Sequence, residues 1–405
     1  MDRSIKRFFA RRWGDRSWEA LGIGLLASIV GFTGSVAVVM QGLRAAGAND
    51  AEVASGLTAL TVGMGVSGII LAMQYRMPIS VAWSTPGAAL LISSGDTVSS
   101  INQAIGAYLF SAVLLLLAGW FRPLGRLIES IPTSLANAML AGVLLSICLA
   151  PVKAVAYEAM LAIPLLLTWW LVGQFNRYAA VPAALLLLVI LVAWRLGLPD
   201  DFASQLRASL LPELVLIVPE FDGQTLISIG IPLFVVTMAS QNIPGAAVLQ
   251  VAGYRPGVGP LIMNTGLFSL VTAPFGAHGI NLAAITAAMF CSEEAHADPA
   301  RRYWAAVFAG MSYVVLGVFA GATVLIITLI PAVLLEAIAG LALLGSFSSA
   351  IVAALSDEKY REAAAITFLF SASGLAFAGV GGAFWGLVTG GCMVLLINYR
   401  NKNVH

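Results

Sequence analysis

The sequence predicts an all-α integral membrane protein with fourteen transmembrane segments, arranged as a 7+7 inverted repeat. Three observations lead to this fold class. Of the 405 residues, 60% are hydrophobic and only 10% are charged, whereas a soluble domain carries about 25% charged residues. Apolar runs of about 20 residues, the length that crosses a bilayer, recur along the chain. A polar interval divides these runs into two equal sets.

Composition also excludes some functions. The formal net charge is +1, so bulk electrostatics gives no reason to expect a nucleic-acid partner. Cys148, Cys291 and Cys392 stand singly in or beside apolar stretches, and no disulfide framework or metal-ligand spacing can be built from them. We expect the lipid bilayer as a partner, with no metal and no cofactor.

The first repeat is predicted at 19–197, after a basic tail at 1–18. The run that follows the tail has the length of a span rather than of a signal peptide. Full-length spans are predicted at 19–42, 52–73, 98–120, 130–149, 156–173 and 178–196. The third element, at 78–94, is an interrupted run.

The second repeat is predicted at 224–398, between an extracytoplasmic linker at 198–223 and a tail at 399–405. Its full-length spans are predicted at 224–250, 257–272, 300–329, 331–355, 361–378 and 380–398. The third element, at 273–291, is again interrupted. Seven crossings in the first half make the second half start from the opposite side, which is the arrangement of an inverted repeat.

Basic residues predict the orientation. With fourteen crossings and a cytoplasmic N-terminus, 17 of the 21 Lys and Arg residues fall on the cytoplasmic side. The other side receives Arg44, Lys153, Arg195 and Arg207. This bias places both termini in the cytoplasm.

The interrupted run of the first half reads as a strand followed by a half-helix. Apolar and small residues alternate over Ile79–Ser84, which is typical of a strand. Thr85 is the expected N-cap and Pro86 the first helical residue. A helix from there to Ser94 has nine residues, roughly 14 Å, so it starts near the middle of the membrane.

The second half repeats this design. Ser269–Ala273 is predicted to be extended, Pro274, Gly276 and Gly279 to break the chain, and Ile280–Cys291 to form a half-helix. Two half-helices that enter from opposite sides direct their positive N-terminal ends towards one central region. Such a site favours an anion without any Lys or Arg.

Polar residues also interrupt the span that opens the second half. Ser240, Gln241 and Asn242 precede Pro244 halfway along this span, and the stretch GFTGS at 31–35 occupies the matching place in the first half. Buried amides either tie helices together or face a ligand. We favour the ligand because Pro244 frees a backbone carbonyl beside them.

His278 is the histidine predicted inside a membrane element. Its unperturbed pKa of about 6.5 would allow proton exchange near neutrality. The alternative is a structural hydrogen bond with no change of charge. Glu336 is a weaker candidate, since it lies near a helix start where it would complement the dipole.

A composition typical of metal ligands occurs in one loop, at Glu293, Glu294, His296 and Asp298. Because Arg301 and Arg302 follow, we interpret the segment as a solvated cytoplasmic loop.

Three motifs resemble the benzoate:proton symporter (BenE-type) family. They are AWSTPGAALL at 82–91, MASQNIPG at 238–245 and PFGAHGINLAAITAAM at 274–289. The resemblance implies a fold similar to that of the uracil and nucleobase–ascorbate transporters (UraA-like), with a core domain and a gate domain. It implies a substrate site between segments 3 and 10, with segments 1 and 8 beside it.

Carried over motif by motif, the resemblance implies a set of substrate-binding residues. They are Phe32, Gly34, Trp83, Ser84, Thr85, Gly87, Met238, Ser240, Gln241, Asn242, Phe275, Ala277, His278, Gly279 and Asn281. Nucleobase carriers of this fold have glutamates in segments 8 and 10, and this sequence has none there. That difference suits a substrate that brings its own carboxylate, with Phe32, Trp83, Phe275 and Met238 as candidates for an apolar slot.

The expected function is secondary active transport that imports benzoate or a similar aromatic carboxylate by proton symport across the inner membrane, with His278 coupling the proton. An uncoupled anion channel or facilitator, or a carrier of another small organic anion or a nucleobase, is the alternative. An enzyme is disfavoured, because no nucleophile–base pair or Gly-x-Ser-x-Gly context occurs. The sequence leaves open whether two copies form a homodimer.

Overall fold

The computed structural model describes residues 18–94, 100–121, 132–196, 199, 201–211, 213–377 and 380–402. Residues 1–17 of the predicted N-terminal tail, parts of the linker at 198–223 and residues 403–405 lie outside the described residues.

The described chain is mostly helical, with four short strands. The helices are α1 (Trp18–Thr33), α2 (Val36–Ala45), α3 (Asp50–Tyr75), α4 (Thr85–Ser93), α5 (Ile101–Trp120), α6 (Thr133–Cys148), α7 (Ala150–Phe175), α8 (Ala180–Leu196), α9 (Phe202–Ala208), α10 (Gly223–Val251), α11 (Val258–Thr272), α12 (Ala284–Cys291), α13 (Tyr303–Val318), α14 (Ala320–Thr328), α15 (Ala332–Leu355), α16 (Arg361–Ala372) and α17 (Gly382–Lys402). The strands are β1 (Val81–Trp83), β2 (Ile280–Leu282), β3 (Ala376–Phe377) and β4 (Val380–Gly381).

Each of the twelve predicted full-length spans falls on helical residues, but several are not single straight helices. The span at 19–42 is interrupted at Gly34 and Ser35, between α1 and α2. The span at 300–329 bends by 59° between α13 and α14. The span at 361–378 ends early, since Gly374 has a left-handed φ of 66° that stops a helix, and the β3–β4 ribbon follows.

Among the described residues, eight helices are long and apolar enough to cross a membrane, or up to nine if the bent pair counts as one span. The chain is therefore a multi-pass membrane protein, while the predicted count of fourteen crossings stays a prediction.

The helices pack in two groups. In the first group, α13 packs on α1 and α3, and α11 packs on α3 and α5. In the second, α15 packs on α6 and α7, α16 packs on α6 and α17, and α8 packs on α7. The groups touch where α4 meets α6 and where α2 meets α15.

Small residues allow the closest approaches inside the first group. A Cβ added to Gly65 of α3 would lie 2.6 Å from the carbonyl oxygen of Gly310 in α13. Such close backbone packing is the usual way in which helices associate in lipid.

Two wide π-helical turns interrupt α10, at Leu226–Gly230 and Met238–Asn242. In each case the residue after the turn bonds five residues back, from Ile231 N to Leu226 O and from Ile243 N to Met238 O. Pro232 and Pro244 come next in the sequence, and a proline cannot donate the ordinary helical bond. The second turn contains the polar residues that the sequence singles out, and π turns are frequent at functional sites.

Candidate substrate site

The two interrupted segments meet in a two-stranded antiparallel ribbon formed by β1 and β2. The Cα partners are Val81 and Leu282, Ala82 and Asn281, and Trp83 and Ile280. Beyond the strands, Ser84 N donates to Gly279 O at 3.1 Å, and Ala283 N donates to Ser80 O at 3.0 Å. Extended backbone inside the protein is thus paired, as a low-dielectric surrounding requires.

A half-helix leaves each end of this ribbon in opposite directions. The predicted strand-plus-half-helix design is confirmed in both segments, by β1–α4 and β2–α12. The N-terminal ends flank the ribbon instead of converging on one point. Ser84 and Ala283 are separated by four residue steps along the ribbon, which is about 13 Å.

The predicted boundaries of the second segment are wrong. Residues 269–272 belong to α11 instead of being extended, and α12 begins at Ala284, four residues later than predicted. The cause is pairing with β1, which holds Ile280–Leu282 extended although the local sequence favours a helix. Gly276 does break the chain, with a φ of 97° and 3.0 Å between an added Cβ and Gly56 Cα.

Ser84, and not Thr85, is the N-cap of α4. The Ser84 backbone is non-helical, and its Oγ accepts from Gly87 N at 3.1 Å, while Thr85 is already helical and half-buried. Ser84 Oγ also lies 3.1 Å from Thr237 Oγ1 of α10. Gly87 lies close against α10, since an added Cβ would be 2.6 Å from Leu233 Cδ1.

Side chains complete the outer edge of β2. Ser269 Oγ accepts from Ile280 N at 2.8 Å, and Asn242 Oδ1 accepts from Leu282 N at 2.9 Å. Asn242 Nδ2 lies 3.6 Å from Met238 Sδ, and Asn242 is fully buried. In this structure Asn242 therefore ties α10 to the ribbon, which is the alternative that the sequence left open.

The neighbours of Asn242 in the second π turn differ from it. Ser240 Oγ donates to Val236 O at 2.5 Å, within its own helix. Gln241 is half-buried, and no described residue forms a hydrogen bond with its amide. Gln241 is thus the amide of this turn that remains open to a ligand.

An aromatic pair covers one end of the ribbon. The rings of Phe32 and Trp83 are buried, with centroids 5.4 Å apart, and Trp83 Nε1 donates to Ser35 Oγ at 2.9 Å. Gly34 lies in the nearby break, where an added Cβ would meet Val30 O of its own helix. Phe275 is half-buried, and its carbonyl oxygen accepts from Ser55 Oγ of α3 at 2.9 Å.

His278 lies just before the ribbon, buried and hydrogen-bonded on one side. Its Nε2 is 2.8 Å from the carbonyl oxygen of Ser84. A carbonyl oxygen only accepts, so neutral His278 carries its proton on Nε2 and a lone pair on Nδ1. This Nδ1 is buried and has no partner among the described residues.

Tyr108 of α5 faces His278 from the opposite side. The two rings are 6.4 Å apart in an edge-to-face arrangement, and the Tyr108 hydroxyl is also buried without a partner among the described residues. Burying such groups costs about 1–3 kcal/mol each unless a ligand or water satisfies them. The sequence analysis missed Tyr108 because α5 reads as an ordinary apolar span.

Asn281 contributes the third buried polar group of this region. It is 0% exposed, and neither its Oδ1 nor its Nδ2 has a hydrogen-bond partner within the described part of the chain. Its place in the ribbon is opposite Ala82, which is half-buried. The ribbon therefore holds an amide that can both donate to and accept from a ligand.

The other residues singled out from the sequence differ in exposure. Ala277 and Gly279 are buried backbone positions on either side of His278. Glu336 is exposed near the start of α15, and Glu293, Glu294 and Asp298 are exposed in a loop. The exposure of these residues agrees with a role of Glu336 in complementing the helix dipole and with a solvated loop at 293–298.

Comparison with known proteins agrees with this architecture. Residues 14–396 match the family model described as benzoate membrane transport protein. The chain is 40% identical over 382 residues to the inner membrane protein YdcO of Escherichia coli (strain K12), covering 94% of this chain and 96% of the relative. It is 32% identical over 381 residues to the benzoate membrane transport protein of Acinetobacter baylyi (strain ATCC 33305 / BD413 / ADP1), covering 93% and 94%.

Solved structures share the fold at low sequence identity. The transmembrane domain of the cyanobacterial bicarbonate transporter BicA has a TM-score of 0.55 at 13% identity, covering 94% of this chain and 97% of that one. SLC26A9 has a TM-score of 0.62 at 12% identity, covering 94% and 65%. Both have the UraA-like fold that the resemblance implies.

The matching family, the Acinetobacter relative and the bicarbonate transporter are named as transport proteins and not as enzymes, in agreement with the sequence prediction. The match spans nearly the whole chain and includes the three motifs that build the ribbon and the second π turn. The chain therefore belongs to the benzoate membrane transport protein family and is a membrane transporter of anions.

Proposed function

We propose that the protein imports benzoate or a similar aromatic carboxylate by proton symport. The observation that carries this proposal is that Asn281, His278 and Tyr108, in or beside the ribbon, have buried polar atoms with no hydrogen-bond partner among the described residues. A relative 32% identical to this chain is named a benzoate membrane transport protein. The carboxylate would bind beside His278, near the N-terminus of α4, and the aromatic ring against Phe32 and Trp83.

The electrostatics of the ribbon favour an anion without a basic side chain. Neither the strands nor the half-helices contain a Lys or Arg. Each helix N-terminus carries roughly half a positive charge. Backbone N–H groups, the Asn281 amide and the half-buried Gln241 amide supply neutral donors for a carboxylate.

His278 gives the site a way to couple the anion to a proton. The Nδ1 lone pair takes up a proton while Nε2 keeps its bond to Ser84 O. The resulting Nδ1–H is a charge-assisted donor for the incoming carboxylate. Proton and benzoate then balance each other's charge, so their joint movement across the low-dielectric interior costs less than the movement of either alone.

Alternating access would use the two helix groups as moving parts. We assign the first group, with the ribbon, to a core domain and the second group to a gate domain. The antiparallel ribbon is what two inverted repeats of seven segments, at 19–197 and 224–398, would produce at their third elements. We further propose fourteen crossings in the inner membrane, with both termini cytoplasmic.

Uptake of labelled benzoate into proteoliposomes with an alkaline lumen tests this function. We expect accumulation above the external concentration, abolished by a protonophore. Equilibration without accumulation would instead identify an uncoupled channel or facilitator. Competition by a panel of aromatic acids and nucleobases would define the substrate class, and a preference for nucleobases would overturn the benzoate assignment.

A further inference from the structure

A buried arginine contacts the C-terminal end of half-helix α12. Arg302 is only 9% exposed. Its Nη1 donates to the carbonyl oxygen of Cys291, the last residue of α12, at 2.6 Å, and its Nε donates to His296 O at 2.8 Å. The guanidinium therefore covers the negative end of the helix whose other end adjoins the ribbon.

The neighbouring Arg301 has the same charge but a different setting. Its side chain is 45% exposed and pairs with Asp298 at 3.3 Å. Glu293 and Glu294 of the same loop are exposed as well, so solvent and salt screen their charges. The charge of Arg302 is buried and is screened much less.

The length of α12 makes this charge relevant to the site. Eight residues span about 12 Å, so the negative pole at Cys291 lies close enough to weaken the positive pole at the N-terminus. A cation bound to Cys291 O opposes that negative pole. The half-helix then presents a larger net positive potential to an anion at the ribbon.

Among the described residues, no Lys or Arg bonds the last turn of half-helix α4. Residues 77–121 contain no Lys or Arg, and the last turn of α4 is satisfied by a local bond from Ser93 Oγ to Leu90 O at 2.9 Å. The two half-helices therefore contribute unequally to the potential at the ribbon.

We propose that Arg302 is a positioning residue that raises the affinity of the transporter for its anion from the far end of α12, without touching the substrate. This inference deepens the proposed function and rests on its anion site. At an effective dielectric constant of about 20, a unit charge about 25 Å from a carboxylate beside His278 changes its binding constant by about threefold.

The test compares Arg302→Gln, Arg302→Lys and the matched control Arg301→Gln in proteoliposomes. We expect Arg302→Gln to raise KM for benzoate about threefold with kcat within about twofold of wild type. Arg302→Lys keeps the charge and should stay within about twofold in KM, even though Lys loses the forked geometry. Arg301→Gln should change KM by less than about 1.5-fold, because its charge is exposed.

Three results would overturn the proposal. They are an unchanged KM in Arg302→Gln, an equal rise in Arg301→Gln, and an equal rise in Arg302→Lys, which would indicate geometry rather than charge.

A second pair of variants, at Ser292, tests the proposal if Arg302→Gln does not fold. Ser292 follows Cys291, is half-buried and donates to Met289 O at 2.8 Å. Ser292→Asp adds a negative charge at the same helix end, and Ser292→Asn is its neutral control. We expect KM about threefold higher in the Asp variant than in the Asn variant. Equal values would contradict the proposal.

Failure of the proposed transport function can be distinguished from failure of the proposal for Arg302. If wild-type protein accumulates no benzoate, that function fails. The ratio between variant and wild type can then be measured for salicylate or nicotinate exchange, and that ratio alone decides the role of Arg302.

Discussion

The β1–α4 and β2–α12 segments each join a three-residue strand to a helix of nine or eight residues. They differ in how the helix ends are held. Ser84 caps α4 with its side chain, whereas the N-cap of α12, Ala283, has no side-chain bond to offer. Arg302 covers the far end of α12, and in the described part of the chain no cation bonds the end of α4.

The two segments also differ in chemistry. The second segment carries His278 and Asn281, whose buried atoms lack partners among the described residues. The first carries Trp83 and Ser84, whose polar atoms are already bonded. The difference indicates that the first segment supplies a fixed frame and the second supplies groups that respond to the ligand.

The largest expected effect is at His278, the group that would carry the proton. His278→Ala and His278→Gln should each reduce proton-driven benzoate accumulation at least about 20-fold, since general acid–base groups contribute on the order of a hundredfold. Benzoate exchange across the membrane without a pH gradient should persist, because it needs no net proton release. Normal proton-driven uptake in both variants would remove His278 from the mechanism.

The two buried amides beside β2 provide the next comparison. Asn281→Ala should raise KM about tenfold, the effect of losing one hydrogen bond to a charged group, without lowering the melting temperature in detergent. Asn242→Ala should lower the melting temperature instead, because Leu282 N loses its acceptor at a cost of about 1–3 kcal/mol. If the two variants behaved alike, the division between frame and ligand groups would be wrong.

A smaller effect is expected at Tyr108. Removing its hydroxyl in Tyr108→Phe should raise KM for benzoate about three- to fivefold, since one neutral hydrogen bond contributes about 1 kcal/mol. Tyr75→Phe, at the far end of α3, is the matched control and should leave KM unchanged. Equal kinetics in both variants would show that the Tyr108 hydroxyl does not serve the site.

The smallest effects concern the unequal caps. Ser84→Ala should destabilise the protein by about 1 kcal/mol, with Thr85→Ala as a nearly neutral control. Ala283→Ser should stabilise α12 by about 0.5–1 kcal/mol, because the Ala283 backbone, at φ −122° and ψ 131°, already suits an N-cap. Melting temperatures in detergent measure both changes. A stabilising Ser84→Ala would refute the assignment of the cap.

Much of the site could be predicted from local sequence. Three local signals fall where the structure interrupts a helix. They are the Pro and Gly breaks at 78–94 and 273–291, the strand alternation before Ser84 and the polar residues of the second π turn of α10. Local signals were insufficient where pairing between strands determines the backbone conformation. The sequence Ile-Asn-Leu of β2 continues into a helix-favouring run, and only its partner strand explains why it is extended.

Long-range contacts account for the other misses. Tyr108 and Thr237 are 170 and 153 residues from the partners that they face, His278 and Ser84. Arg302 reads as a loop charge until its bond to Cys291 O is seen. Asn242 reads as a ligand-binding amide until Leu282 N is found opposite its oxygen.

The ribbon has a mechanical consequence as well. Its backbone bonds join residues about 200 positions apart, and separating the strands would expose unpaired N–H and C=O groups where no water replaces them. The two half-helices are therefore joined into a single rigid unit. We expect any opening to either side of the membrane to displace this unit as a whole. Sliding one half-helix past the other would break the backbone hydrogen bonds between β1 and β2.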